Sequence, residues 1–167
     1  MSRAFVKESD GDEEALPERP RSPHINYVTP HGLTLLHSRL NELLARKSAL
    51  TDLEDLASRQ QIKALERDLR YYQERIESAV LIDPEMQSQD RVHFGATVEV
   101  LDEDDAVLKF TIVGEDEADV AQGKISWVSP LARALLNARV GDAVTWRRPA
   151  GDRQLEILSI QKGGLRA

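Results

Sequence analysis

The stretch TDLEDLASRQQ, residues 51 to 61, sets three carboxylates, Asp52, Glu54 and Asp55, within four positions. Asp52 and Asp55 stand three apart, so on a helical turn they share a face and could hold one divalent cation between them. Two carboxylates alone bind Mg²⁺ weakly, because that ion keeps its waters unless phosphates or further ligands help. Such a pair acts only when delivered to a site that supplies the rest. The stretch also has a plain structural reading. Thr51 followed by Glu54 is a capping box, with Asp52 and Asp55 in a first turn where the helix dipole favours negative charge.

Elsewhere the chemistry is sparse. His24, His31, His37 and His93 show no HExxH spacing, and no GxGxxG, P-loop or GxSxG motif occurs. The chain has no cysteine, hence no thiol nucleophile and no Cys-based metal centre, which suits a reducing compartment. The acidic run Asp102 to Asp105 lacks the glycine and ligand pattern of a calcium loop and reads as a solvated turn. No catalytic residue and no metal site of the chain's own is assigned.

The elements that must position the carboxylates are two helices. Thr29 is a good N-cap, and Pro30 falls at the first helical position, where its missing N–H does no harm. Leu33, Leu36, Leu40, Leu43 and Leu50 then follow a coiled-coil spacing, repeated by Ile62, Leu65, Leu69, Tyr72, Ile76 and Ala79. Two seams of equal length predict an antiparallel hairpin, with Leu33 opposite Ala79, Leu50 opposite Ile62, and the tip near residues 53 to 58. Leu53 and Leu56 lie off the second seam. Either the helix phase breaks over Ala57 to Gln61 or the tip shows two leucines outward.

After Pro84 the period changes from helical to alternating. QDRVHFGATVEVL and AVLKFTIVG read as a β-hairpin about the acidic turn, KISWVS as a short strand, and AVTWRRP and RQLEILSIQ as closing strands. SPLARALLNARVGD reads as a helix capped by Ser129, with Pro130 at its first position, ending near Gly141. The expected fold class is α+β: an antiparallel coiled-coil hairpin over residues 27–83, followed over 84–167 by a small antiparallel sheet packed on one helix. Residues 1–26, rich in acids, Pro, Ser and Arg, are expected to form a disordered tail.

Over 167 residues the formal charge is −7, which argues against tight, non-specific nucleic-acid binding. Local basic surface is available at Arg67, Arg70 and Arg75 on one arm, or at Arg147 and Arg148, although such a stripe is most often a solvated helix face. No signal-peptide h-region and no run of about 18 apolar residues occurs, so a cytoplasmic protein is expected. A hairpin that satisfies its own seam points to a monomer.

The hairpin, followed by VHFGATVEV, FTIVGEDEAD and above all ISWVSPLARALLNARVGDAV, resembles the bacterial Gre-factor family of transcription elongation factors, nearest to its GreB-type members. The resemblance runs from about Tyr27 to about Gln161. It implies an FKBP-like C-terminal domain docked on bacterial RNA polymerase and a coiled coil entering the secondary channel. There, tip acids help hold a second Mg²⁺, shared with the polymerase, while the polymerase cleaves its own backtracked transcript. The implied docking segment is Val128, Ser129 and Pro130, with Val128 where GreB-type members carry an aspartate. At the tip the resemblance weakens. The Gly-Asp-x-x-Glu-Asn-type motif of cleaving members is missing, and the arms look shorter by about two turns each, or about 10 Å. These departures lead to an expectation of channel occupancy without efficient cleavage, and of a chain that is not an enzyme. The alternative is a transcript-cleavage factor acting through Asp52 and Asp55. An FKBP-like fold also suggests prolyl isomerisation, with Phe94, Phe110, Trp127 and Trp146 as the available aromatics, but fold analogy is a weak warrant.

Overall fold

Thr29 opens the first long helix as its sequence context predicts: its hydroxyl accepts from the Gly32 N–H at 2.9 Å, with Pro30 in the first turn. The computed structural model describes residues 16–162. Helix α1 spans Pro30–Leu50 and α2 spans Leu56–Glu77, joined by a five-residue turn. Leu43 packs with Leu65 and Leu69, and Leu40, Leu50 and Tyr72 border them. Lys47 meets Glu66 at 3.3 Å across the seam, which matches the expected antiparallel register.

The two ends of the hairpin are tied together by their own chain. Strand β1 (Tyr27–Val28) leads into α1, strand β2 (Val80–Leu81) leaves α2, and the two pair in parallel. The hairpin is thus closed at its base by backbone hydrogen bonds, and only the far turn is open.

The described residues after the hairpin are built around a five-stranded sheet in the order β5-β4-β3-β7-β6, formed by β3 (Thr97–Leu101), β4 (Val107–Val113), β5 (Lys124–Ser126), β6 (Ala143–Trp146) and β7 (Arg153–Gln161). Alternation sends Val98, Val100, Ile112, Leu155 and Ile157 inward, where they bury against Leu131, Ala132 and Leu135 of helix α3 (Pro130–Leu135). The architecture is α+β, as expected.

Three details differ from expectation. The sheet is antiparallel except for its edge strand β5, which runs parallel to β4 because a 3₁₀ turn at Val120–Gln122 brings the chain back along the edge. Helix α3 stops at Leu135 rather than near Gly141. Asn137 takes a left-handed φ of 68°, and the backbone of Asn137 and Ala138 pairs with Val92. The tail expected over residues 1–26 lies outside the described residues as far as 15. Residues 16–26 have no regular structure, but they lie against α2 and the sheet domain through the ion pairs and ring contacts given below.

Candidate functional site

The tip is decided by two competing caps. Thr51 does not start α2. Its backbone N–H donates to the Ser48 carbonyl at 3.4 Å and its hydroxyl to the Lys47 carbonyl at 2.9 Å, so it ends α1. The Thr51/Glu54 capping box is therefore not formed. Asp55 is the N-cap of α2, and its carboxylate accepts from the Ser58 N–H at 3.4 Å. The Ser58 hydroxyl, and then its N–H, hold the Asp55 carboxyl below the usual carboxylate range. Ser58 itself is buried.

This separates the three acids. Asp55 is engaged in starting a helix, while Asp52 and Glu54 are exposed on the turn and have no hydrogen bond or ion pair among the described residues. The free pair is thus Asp52 and Glu54, whose spacing of two is not a helical one. Helix phase does not break after the turn. Instead Leu53 and Leu56 point outward, 50% and 61% exposed. At 1.5 Å per residue, the 21 residues of α1 hold this turn about 31 Å from the hairpin base.

The expected docking segment sits at the opposite end. Ser129 caps α3 by accepting from the Ala132 N–H at 3.2 Å, Pro130 is exposed, and Val128 is half-buried. Just before them, Trp127 lies edge-on to Tyr27 at 5.0 Å between ring centroids, so this segment abuts the hairpin base. Phe94, Phe110, Trp127 and Trp146 all pack on the sheet core. A cleft of about 610 Å³ between the base and the outer sheet face is lined by none of them, but by groups such as His31, Thr97, Lys109 and Lys162. This cleft therefore offers the isomerase reading no aromatic lining.

Sequence reasoning missed the residues that join arm to sheet. The loop after β4 carries Glu115, Asp116 and Glu117 into the hairpin base. Arg75, 8% exposed, donates from Nε to Asp116 Oδ2 at 2.6 Å and from Nη2 to Asn26 Oδ1 at 2.7 Å. The Tyr71 hydroxyl donates to Asp116, and burial first, then this carboxylate, pushes the phenol up to about 12. The Thr29 hydroxyl donates to Glu117, whose carboxylate fills the space a Cβ on Gly32 would need, 2.8 Å away. Arg75 is consequently an anchor rather than part of a basic face, and Arg70 is likewise paired, with Glu18 at 2.7 Å. Among the described residues no group of three or more His, Asp or Glu side chains is arranged to hold a metal.

A long helical hairpin set on a small sheet domain, with free carboxylates at its far turn, defines the molecule as an arm-bearing α+β protein. The profile described as "Transcription elongation factor, GreA/GreB, C-term" matches residues 87–162. The chain is 37% identical over 152 residues to the transcription elongation factor GreB of Neisseria meningitidis serogroup B, covering 81% of this chain and 93% of that one. It is also 37% identical over 134 residues to the transcription elongation factor GreA of Alkalilimnicola ehrlichii, covering 77% and 85%. The chain belongs to the GreA/GreB transcription elongation factor family. The crystal structure of GreA factor homolog 1 (Gfh1) of Thermus thermophilus overlays with a TM-score of 0.40 at 25% identity, covering 83% of this chain and 99% of that one, too loosely to carry an argument.

This assignment corrects one expectation. The chain was expected not to be an enzyme, on the altered tip and the apparent length of the arms. It groups instead with factors named GreA and GreB, including a GreA of Zymomonas mobilis at 46% identity over 87 residues. To that family the resemblance attributes hydrolysis at the polymerase, and the exclusion of hydrolytic activity is withdrawn.

Proposed function

We propose that the protein binds bacterial RNA polymerase in the cytoplasm as a monomer, through the sheet domain of residues 84–167, and inserts the hairpin of residues 27–83 into the secondary channel. Val128, Ser129 and Pro130 form part of the docking surface. The observation that carries this reading is the placement of two unpaired carboxylates, Asp52 and Glu54, on a turn about 31 Å from the hairpin base, in a chain of this family.

The chemistry follows from what those groups can offer. A second Mg²⁺ at the polymerase centre would keep most of its waters and take one or two carboxylates from the tip. Bound there, such an ion would supply polarisation of a phosphoryl oxygen and activation of a bound water for hydrolysis of the transcript by the polymerase. Asp52 and Glu54 supply the ligands in this scheme. Asp55 keeps the turn in shape by starting α2, and would contribute only with the oxygen its cap does not use. No other cofactor is called for.

The test uses backtracked elongation complexes of the cognate polymerase with Mg²⁺, following release of short 3′ RNA fragments. Fragments are expected with the unaltered chain and are reduced at least tenfold by Asp52→Asn with Glu54→Gln. Protection against a cleaving Gre factor without fragments would overturn metal delivery while leaving channel occupancy intact. Failure to bind the polymerase at micromolar concentration would overturn both.

A further inference from the structure

The segment from Glu18 to His24 forms a continuous row of contacts across two parts of the molecule. Its first half lies on α2. Glu18 takes Arg70 at 2.7 Å, Arg19 reaches Asp68 at 3.6 Å with its guanidinium 3.8 Å from the Tyr71 ring centroid, and Arg21 takes Glu74 at 3.0 Å. Its second half lies on the sheet domain. Ser22 donates to Glu115 at 2.9 Å, and the His24 ring meets Trp127 edge-on at 5.8 Å.

Two features of the sequence suit it to this path. Pro17, Pro20 and Pro23 recur every third residue, which fixes φ along the segment and lowers the entropy lost when it is laid down extended. Its three charges, Glu18, Arg19 and Arg21, each face an opposite charge on α2, where Arg70, Asp68 and Glu74 lie within about two turns. A composition that reads as a solvated tail is here matched, charge for charge, to one helix face.

We infer that residues 18–24 form a clasp that holds the hairpin at one angle to the sheet domain. The clasp contacts both bodies at the junction where Arg75, Tyr71 and Asp116 meet, and Arg19 lies on the ring whose hydroxyl Asp116 accepts. Its pairs are largely solvent-exposed and so are screened by salt, with a Debye length of about 3 Å at 1 M. The clasp is therefore the salt-sensitive part of the junction, and the buried Arg75–Asp116 pair beneath it is screened much less. The inference stands on intramolecular contacts alone and does not depend on the polymerase reading.

The chain lacks cysteine, so spin labels can be placed on the full-length protein at Ala57→Cys near the tip and Asp152→Cys on the β6–β7 loop, both exposed. Pulsed dipolar spectroscopy on this pair is expected to give one narrow distance distribution at low salt. Reversing the clasp with Glu18→Arg, Arg19→Glu and Arg21→Glu should at least double its width. Adding Asp68→Arg, Arg70→Glu and Glu74→Arg should restore it, because the charges again face their opposites. In the unaltered clasp, 1 M salt should produce the same broadening. A width unchanged by both reversal and salt would overturn the clasp, as would failure of the six-fold exchange to narrow the distribution while helix content is retained.

Discussion

Asp52, Glu54 and Asp55 are of one chemical type and lie within four residues, yet only one of them is occupied. Asp55 is tied to Ser58, and its carboxyl is depressed by that bond. A depressed folded-state pKa means the carboxylate contributes stability above its unfolded value and loses it as pH falls through the folded one. The Ser58 amide resonance should therefore report a titration centred below the ordinary aspartate range, and Asp55→Asn should abolish it. A midpoint at or above the ordinary range would refute the cap. The sequence could not have ranked the two caps by itself. Thr51 and Asp55 are both favoured N-cap residues, and only Thr51, with Glu54 three on, has the capping-box spacing, yet the helix starts from Asp55.

At the scale of the elements, the hairpin was the most legible feature. Leucine spacing set its seam, and the caps at Thr29 and Ser129 are local hydrogen bonds that residue type alone specifies. Spacing put Leu53 and Leu56 off the second seam, but it left open whether the helix phase breaks or the two leucines face solvent. Leu36 is 2% exposed, while Leu53 and Leu56 stand in solvent at the turn. Leu36→Ala should cost about 3 kcal/mol in chemical denaturation. Leu53→Ala and Leu56→Ala should each stay within about 0.5 kcal/mol. Equal losses at the two ends would mean the turn is packed against something the isolated chain contains. The early end of α3 was illegible for a different reason: the segment ARALLNARV keeps a helical pattern of apolar residues, but pairing of Asn137 and Ala138 with Val92 competes for the same backbone groups.

The whole molecule depends on a junction that no periodicity announces. Arg75 and Asp116 are 41 residues apart, and nothing in either local sequence marks the other as its partner. On the sequence Arg75 looked like one more charge on a helix face, and Glu115 to Glu117 like part of a family motif without a task. Removing one member of a buried ion pair leaves the other uncompensated, so Arg75→Ala should lower stability by about 3 to 5 kcal/mol. Thermal unfolding would then show the hairpin separating from the sheet domain. A single, unshifted transition would mean the junction is held by the aromatic contacts of Tyr27 and Trp127 instead.

The two-residue ladder of β1 and β2 gives these effects their scale. Because it closes the hairpin at one end only, a tilt at Tyr27, Val28, Val80 and Leu81 would be carried to the far turn as by a lever. Along an arm of about 31 Å, a tilt of only about 1° at the pivot carries the carboxylates through about 0.5 Å, the whole tolerance of a preorganised metal ligand. Under the proposed function, the aim of the tip is set by groups a full arm's length away, the β1–β2 ladder and the Arg75–Asp116 junction beside it.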